Sequence, residues 1–487
     1  MIAALMLSRI LAPWSRVGAP SLLMRWGCGA YADIMKSSLY VTRSKGFTSN
    51  CEEMSSLMVG APHGSCNENE VFSFGDRSNG ALGHVDDYLN DVYEPKKIAG
   101  LPSRISKVAV GHYHSFAITE VGELWAWGRN TEGQLGPRDR TLREENCQPQ
   151  RVKGLEGFKI REAAGSGVVS MAVGTDGSVW AWGKSKRGQL GLGIGVTESA
   201  IPRRLETLTG LHVVQVSLGW GHALACTKEG QIYSWGYSAD GRLGFLPEKL
   251  EDQYALEEET LRGGFAGQIV LKDFEEQSPL LVWKPQLVSS MRDYEIIHVS
   301  CGMDHSLALD AAGHVFSFGD NTYDQLGRQV GEMLVGLVEG DIQNSHAIHI
   351  NAGLGHSLAV VSFLNGSRKQ TGIHENAKSD LGVKTTGVPF SWGWNSAGQL
   401  GTMSTCPVPR PVEVLNDVIS LAGGRAHSLA VTPEGKLWAW GSGLNGRLGL
   451  GSSMDEPFPV PVDSLDNHKI VQAVSGFDHN LVLAHRV

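Results

Sequence analysis

Short runs of alternating apolar residues, separated by glycine-containing turns, dominate the chain after residue 70. Residues 115–119 and 123–127 are two such runs, and the turn between them ends in Gly122. β-Branched and aromatic residues in alternation favour strands, and glycine readily adopts the positive φ angles of tight turns. The pattern therefore predicts a β-hairpin here, and it predicts another over residues 428–440.

These hairpins belong to a repeat that has two halves. The first is an aromatic-x-aromatic-Gly run that ends in Leu-Gly; it occurs seven times, at 72–83, 125–136, 180–191, 233–244, 316–327, 390–401 and 438–449. The second is Gly-x-x-His-Ser before an apolar strand, at 111–115, 302–306, 353–357 and 424–428, with variants at 219–223 and 476–480 and a degenerate copy at 165–170. Val169 stands at the His position of the degenerate copy. Such short hairpins are unstable alone, so neighbouring repeats must bury them.

The order of the two halves distinguishes a closed ring from an open array. The repeat region begins with an aromatic half that has no preceding His half, and it ends with a His half that has no following aromatic half. Pairing residues 480–484 with residues 70–74 would complete a seventh blade and leave no open sheet edge. A stacked solenoid would instead need polar capping repeats. We therefore predict an all-β fold, a closed seven-bladed β-propeller over residues 70–487 whose N- and C-terminal strands share one blade.

The repeats resemble those of the regulator of chromosome condensation family, whose fold is a seven-bladed propeller closed by shared terminal strands. The units that carry the resemblance are Gly-x-x-His-Ser and Trp-x-Trp-Gly…Gly-Gln-Leu-Gly, and they extend over about residues 70–487. The Gly-His…Trp-Asp signature of WD repeats is absent. The resemblance implies a binding surface without covalent chemistry, so no enzyme activity, metal or cofactor is expected.

The family resemblance implies two further activities to weigh. Its founding activity is nucleotide exchange on a small GTPase, to which acidic residues just before a repeat His contribute; Asp304 and Asp478 match by position. The alternative role for both is to cap a local turn. The family also includes a plant ultraviolet-B photoreceptor with Gly-Trp-Arg-His-Thr in successive blades. Here Trp220 and Arg425 each stand alone at the corresponding positions, so photoreception is disfavoured.

Two insertions interrupt the repeat, near residues 245–282 and 364–387. Residues 249–262 predict a short helix that places Leu250, Tyr254 and Leu261 on one side, and two glycines follow it. Residues 245–278 hold nine acidic and three basic residues. A negatively charged insertion that the ring does not need predicts a surface for a basic protein partner, although the helix could also pack on its own blade. The second insertion is polar and reads as a loop.

The first 47 residues carry the opposite charge to the rest of the chain. They hold six basic residues and one acid, a net +5, while the full chain carries −9. A short apolar helix interrupted by Arg9, followed by Ser- and Arg-rich sequence, is typical of a mitochondrial transit peptide. A plastid address or an uncleaved N-terminus are the alternatives. Residues 48–69 read as a linker, and no apolar run is long enough to span a membrane.

Composition limits the remaining chemistry. Glycine makes up 61 of 487 residues, which fits a protein full of turns, and the seven cysteines form no CxxC pair, which favours reduced structural thiols. The repeated histidines lie in different blades, which favours a turn-fixing hydrogen bond in each blade over a metal site. Basic clusters at 138–143, 184–187 and 203–204 could contact RNA. An indirect RNA contact is favoured, because an acidic body is a poor general polyanion binder.

Targeted members of the resembled family act in organelle gene expression. The resemblance therefore implies a non-enzymatic platform in the mitochondrial matrix that supports transcript processing, mRNA splicing or mitoribosome assembly, and through these respiratory-complex biogenesis. Its expected partners are proteins, such as RNA-processing or ribosome-assembly factors. A guanine-nucleotide exchange factor for a small GTPase is the alternative.

Overall fold

The computed structural model describes residues 69–84, 91–140, 146–246, 280–331, 334–362 and 386–487. These residues form seven four-stranded antiparallel sheets. Each predicted hairpin supplies the two middle strands of a sheet, and a first and a fourth strand flank it. The first strands contact one another in sequence around the ring, so they line its centre, and each fourth strand lies at the rim of its blade.

The strands fall into four sets by their place in a blade. The innermost strands are β3 (Ile105–Val110), β7 (Ile160–Gly165), β11 (Val213–Leu218), β15 (Ile296–Cys301), β19 (His346–Ala352), β23 (Ser420–Gly423) and β27 (His468–Ser475). The second strands are β4 (His114–Thr119), β8 (Val169–Gly174), β12 (His222–Thr227), β16 (His305–Asp310), β20 (His356–Ser362), β24 (His427–Val431) and β28 (His479–Arg486).

The outer half of each blade comes from the aromatic half of the repeat. The third strands are β1 (Asn69–Gly75), β5 (Leu124–Gly128), β9 (Val179–Lys184), β13 (Ile232–Tyr237), β17 (Val315–Gly319), β21 (Val388–Gly393) and β25 (Leu437–Gly441). The fourth strands are β2 (Val92–Lys97), β6 (Gln150–Arg151), β10 (Glu198–Arg204), β14 (Leu281–Leu287), β18 (Gly336–Leu337), β22 (Cys406–Pro411) and β26 (Glu456–Pro461). Within the described residues, strands are joined by six single-turn 3₁₀ helices, at Glu206–Leu208, Ala239–Gly241, Ser289–Met291, Gly340–Ile342, Leu444–Gly446 and Asp463–Leu465.

Blade 1 closes the ring as the sequence predicts. Its strand order is β2-β1-β28-β27, so the first and last strands of the propeller are hydrogen-bonded neighbours. The predicted register is confirmed, because Glu70 faces Ala484 and Phe74 faces Asn480. Blades 2 to 7 follow in chain order, from β3–β6 to β23–β26. The prediction of a closed seven-bladed propeller is therefore confirmed.

In five of the seven blades a buried tryptophan packs against the preceding blade. The second aromatic of the motif is a fully buried tryptophan in five blades: Trp127, Trp182, Trp235, Trp392 and Trp440. Each indole N–H donates to a backbone carbonyl of the preceding blade, at 2.8–2.9 Å. A buried indole needs such a partner, so the contact combines a large apolar area with a satisfied polar group. Apolar clusters that each span adjacent blades form the core.

The described residues bear on the expected absence of a membrane span and on the state of the cysteines. Within them, no helix has the length and apolar character needed to cross a bilayer. Cys147, Cys226, Cys301 and Cys406 are buried, and no disulfide joins any of them in the part of the chain that the structure describes. The helix predicted over 249–262 lies outside the described residues, as does the whole of residues 1–68.

Candidate functional site

Loops from all seven blades converge on one mouth of the propeller. In each blade the loop before the second strand meets the loop after the third strand; in blade 2, for example, the Arg129 N–H donates to the Tyr113 carbonyl. The loops before the second strands are also bonded to each other around the ring. The His112, Trp220, Met303, Leu354, Arg425 and Phe477 N–H groups each donate to a carbonyl of the next blade's loop, at 3.1–3.3 Å. The mouth is thus a rigid rim that presents side chains from every blade.

The repeated histidines join adjacent blades. The Nε2 atom lies 2.8–3.0 Å from a hydroxyl of the next blade in five pairs, which are His114–Ser170, His222–Ser306, His305–Ser357, His356–Ser428 and His479–Ser115. In the sixth pair His427 Nε2 lies 2.8 Å from Oδ1 of Asn480. Each of these serine hydroxyls donates to a backbone carbonyl, so the Nε2–H must donate to the serine. The predicted hydrogen bond exists, but it joins blades and does not fix a turn within one.

Burial keeps these histidines neutral. Desolvation lowers the pKa of His114, His305, His356 and His427 to about 3, and that of His479 to about 4. The pKa of His222 is also lowered, mainly by the same burial. A neutral imidazole with one N–H in an inter-blade bond has no proton to exchange with a substrate at neutral pH. Among the described residues no group of three or more His, Cys, Asp or Glu side chains could hold a metal ion.

The glycine of the Gly-x-x-His motif is required by its own histidine. A Cβ atom added to Gly302 would lie 2.1 Å from Cε1 of His305, and the other five motif glycines show the same overlap. Blade 3 is the exception that supports this explanation. Val169 replaces the histidine there and Ser166 replaces the glycine, while Ala223 replaces the serine of blade 4. Removing both hydrogen-bond partners together leaves no orphaned polar group, and Val169 and Ala223 lie in one apolar cluster.

One side of the mouth is rich in aromatic and arginine side chains. The His112 and Trp220 rings are stacked, with centroids 5.3 Å apart, although they come from blades 2 and 4. Gly167 of blade 3 lies between them and provides the space, because a Cβ there would be 2.6 Å from Nδ1 of His112. Trp220 is alone at its motif position in the sequence, and the structure adds a stacking partner for its ring from another blade.

Arginines lie over the rings of this region. The guanidinium carbon of Arg129 is 5.2 Å from the centroid of the Tyr113 ring, and that of Arg187 is 5.9 Å from Trp220 and 5.3 Å from Tyr237. These distances are within cation–π range. We call Tyr113, Arg129, Arg187, Trp220 and Tyr237 the aromatic–arginine face; all five side chains are half-buried.

Asp304 and Asp478 lie at the same mouth, and both are ion-paired within the chain. Asp304 contacts the buried Arg242 of the preceding blade. Asp478 contacts Arg425 and lies 3.1 Å from the buried Arg447. Burial raises the pKa of Asp304, and Arg242 opposes that shift. The carboxylates therefore have structural partners, which the sequence interpretation did not find, and their contribution to a GTPase contact stays a prediction.

Arg242 and Arg447 occupy the motif position at which most other blades have glutamine. The motif reads Gly-Gln-Leu-Gly in blades 2 and 3 but Gly-Arg-Leu-Gly at 241–244 and 446–449. The aspartates before the repeat histidines occur in the blades that follow these two arginines. In blade 3 the corresponding Gln189 instead donates to the carbonyl of Gly219, at 2.6 Å. The pairing of Arg with Asp across a blade boundary was therefore a signal present in the sequence.

The remaining candidates lie elsewhere. Leu250, Tyr254 and Leu261, the predicted partner surface, lie outside the described residues. Lys184 ends β9 at the mouth and pairs with Glu198 at 3.0 Å. Arg203 and Arg204 are exposed at the opposite end of the blade, since Arg204 faces Trp180 near the start of β9. Arg138 is half-buried, donates to backbone carbonyls and has its pKa lowered to about 10 by desolvation. Arg140 also pairs with Glu198, at 2.8 Å, so described residues of the first two clusters adjoin there, whereas the third cluster lies at the other end of the blade.

Comparison with known proteins identifies the family. The family model described as the RCC1-like domain matches residues 70–482, which is most of the chain. The chain belongs to the RCC1-like domain family. The six His-containing loops, the degenerate seventh loop with Val169 and the seven aromatic motifs are therefore the repeat units of that family in this chain.

Named relatives within the match differ in their described roles. The chain is 28% identical over 401 residues to the ultraviolet-B receptor UVR8 of Arabidopsis thaliana, covering 81% of this chain and 78% of the receptor. It is 27% identical over 395 residues to the mitochondrial RCC1 domain-containing protein RUG3 of the same plant, covering 78% and 76%. Among solved structures, Prp20p of Saccharomyces cerevisiae, described with its binding to Gsp1p and histones, matches with a TM-score of 0.66. At 23% identity over 87% of this chain and 93% of Prp20p, that likeness shows the fold.

Proposed function

We propose that this protein is a non-enzymatic interaction platform in the mitochondrial matrix that supports organelle gene expression. Transcript processing or splicing and mitoribosome assembly are the processes it would serve, and respiratory-complex biogenesis would depend on them. The observation that carries the proposal is the mouth itself, where loops of seven blades present fixed arginine and aromatic side chains. Such residues are enriched at binding surfaces because they combine apolar area with directional hydrogen bonding.

The chemistry of the buried groups supports a binding role over catalysis. The histidines nearest the mouth have lowered pKa values and donate their Nε2–H to the next blade. Burial raises the pKa of Cys226 and Cys301 to about 12, so neither thiol is a thiolate near neutral pH. Nucleophiles and general bases need accessible groups with pKa values near the working pH. These side chains instead stabilise the ring.

Two features support the mitochondrial location. The first 47 residues carry a net charge of +5, as transit peptides do. The chain also resembles RUG3, which is described as mitochondrial, over 78% of its length. Fusing residues 1–47 to a fluorescent reporter should direct the reporter to mitochondria. A reporter without these residues is the control, and a cytosolic or nuclear signal from the fusion would contradict the location.

Affinity purification from mitochondria, with RNA sequencing and protein identification, tests the proposed process. We expect RNA-processing or ribosome-assembly proteins, or a defined set of organelle transcripts, to co-purify with the intact chain. A propeller of similar charge that lacks the aromatic–arginine face serves as the control. Recovery of neither class, together with normal organelle transcripts in cells that lack the protein, would contradict the proposal.

Guanine-nucleotide exchange on a small GTPase is the second candidate. Asp304 and Asp478 at the mouth support it, as does the likeness to Prp20p, which is described as binding Gsp1p. Replacing Asp478 by alanine would leave the buried Arg447 without this carboxylate, a change that costs about 3–5 kcal/mol, whereas Arg242 would still pair with Asp240 after the loss of Asp304. Asp304→Asn with Asp478→Asn is therefore the better test, because it removes the charges and keeps the shape.

Exchange activity and a purely structural role predict different outcomes for this double variant. If the carboxylates act on a GTPase, nucleotide release should be lost in a double variant that still melts cooperatively, even though the lost charge beside Arg447 lowers its melting temperature. Asp320→Asn is the matched control, since Asp320 also lies in a loop of this mouth, where its backbone N–H bonds the Asp304 carbonyl. Full complementation in cells by the folded double variant would count against the exchange role.

A further inference from the structure

We propose that the aromatic–arginine face, together with Lys184 and Lys186, binds single-stranded RNA. This inference rests on the proposed function and names the ligand of the same mouth. Proteins that bind single-stranded RNA combine cationic groups, which contact phosphates, with aromatic rings on which bases stack. Both groups occur here within one continuous set of side-chain contacts.

The charge distribution along the chain favours binding of a polyanion near blade 3. Residues 151–204, which supply blade 3 and its approach, hold nine Lys or Arg and four Asp or Glu, a net +5. Residues 1–47 also carry +5, and the full chain carries −9, so all other residues together carry −19. Phosphate affinity comes mainly from Lys and Arg, and a negative surface repels it. The acidic body therefore restricts RNA to the positive segment.

The cations of this segment point in two directions, and those at the mouth accompany the aromatic rings. Lys184, the last residue of β9, and Lys186, two residues after it, are exposed at the mouth next to Arg187. Lys184 also pairs with Glu198, and Arg129 with Glu132, each at 3.0 Å. The Lys184–Glu198 pair is the more exposed of the two and contributes little stability, so a phosphate can replace this carboxylate on Lys184 at small cost, while Glu198 stays paired with Arg140 at 2.8 Å.

The rings are held in place before RNA arrives. Trp220 is stacked on the buried His112, and Tyr113 lies against Phe477 with centroids 5.5 Å apart. Arg187 lies between Trp220 and Tyr237, within cation–π distance of both rings. Side chains that are already ordered lose little conformational entropy on binding. An acidic peptide would satisfy the cations but has no bases to stack on the exposed part of these rings, so the combination favours RNA.

A binding assay with charge-matched variants tests the inference. The probe is a fluorescein-labelled, unstructured 20-nucleotide RNA, and its polarisation is measured with the full chain from about 50 to 200 mM salt. Lys184→Gln, Lys186→Gln and Arg187→Gln together should weaken binding 10-fold or more. They should also reduce the slope of log affinity against log salt by about 2, since each lost phosphate contact on single strands contributes about 0.7.

The control variant changes the same charge in the same segment at the other end of the blade. Lys159→Gln, Arg203→Gln and Arg204→Gln remove three exposed cations, and this protein should bind RNA within about twofold of the native chain. Trp220→Leu should weaken binding without changing the salt slope, because it removes stacking and no charge. Melting temperatures of all variants establish that each ring is folded.

Several results would overturn the inference. Equal losses in the two triple variants would show unspecific attraction, and native affinity in the mouth variant would exclude this face. Absence of RNA binding, with an acidic protein captured by the native chain and lost from the mouth variant, would assign the face to a protein. In that case the RNA-binding inference is wrong. The proposed function as an interaction platform would still hold if organelle transcripts are altered in cells that lack the protein. RNA binding by a protein found outside mitochondria would instead contradict the proposed function alone.

Discussion

Acidification should unfold the ring through its buried histidines. Five of them, His114, His305, His356, His427 and His479, have pKa values of about 3 to 4 in the fold because burial disfavours the charged form. In the unfolded chain the pKa of histidine is about 6.5. Between these values only the unfolded state binds the proton. The histidine contribution to stability is therefore complete above pH 6.5 and falls steadily as the pH decreases toward 4.

The size of this effect is comparable with the stability of a whole domain. At pH 5.5, one unit below the unfolded pKa, each neutral histidine costs about 1.4 kcal/mol of unfolding free energy. Five such residues give about 7 kcal/mol, against the ~5–15 kcal/mol that typically stabilises a domain. Near pH 5 the free energy of unfolding should change with a slope that corresponds to uptake of at least five protons, since burial also lowers the pKa of His112, His222 and His298.

Urea unfolding followed by tryptophan fluorescence at half-unit steps from pH 7.5 to 5 measures that slope. Blade 3 supplies the design of the control, because Val169 and Ala223 are a natural apolar pair at this contact. His305→Val with Ser357→Ala copies that pair and should reduce the proton uptake by one. An uptake of one proton or fewer in the native chain, or an unchanged uptake in the double variant, would refute the reasoning.

Three other changes test the architecture. Deleting residues 476–487 removes β28 and with it the buried Leu481 and Leu483, so the truncated chain should lose its cooperative melting transition; melting at the native temperature would argue for an open ring. Gly302→Ala should lower the melting temperature, since its Cβ would overlap His305, whereas Gly331→Ala should have a much smaller effect, because a Cβ there meets no atom within 4 Å; similar losses would contradict the proposed role of the motif glycine. Replacing residues 248–276 by a Gly-Ser linker should leave the melting temperature unchanged and abolish co-purification of a partner protein if the insertion is a partner surface. A lower melting temperature would indicate packing on the propeller, and normal stability with normal function would exclude both roles.

The fold could be predicted because its information is local and repeated. Each hairpin is encoded by alternation over about ten residues, and seven copies in register compensate for the ambiguity of any one. The closure of the ring followed from counting halves, and the pairing of Glu70 with Ala484 came from matching their positions in the repeat. No long-range energetic term had to be known for either step.

The mouth could be predicted only in part, because its contacts cross blade boundaries. The partner of His114 is Ser170, 56 residues further along the chain, and the partner of Asp304 is Arg242, 62 residues before it. The stacking of Trp220 on His112 passes over a whole blade and depends on the missing side chain of Gly167. A residue that is solitary within its own repeat can therefore have neighbours from two other repeats.

Because the terminal strands close the ring, blade 1 cannot be completed until the end of the chain has been synthesised. β1 ends at Gly75, and its partner strand begins at His479, about 400 residues later. Translation at about 5–20 residues per second keeps these strands apart for roughly 20–80 s. Throughout that interval β28 has not been synthesised, so β1 cannot pair with it. The core residues that bury Phe72 and Phe74 are not yet synthesised either. An apolar strand edge left open this long invites pairing with other chains. A chaperone that covers β1 until the last blade emerges would therefore raise the yield of closed rings.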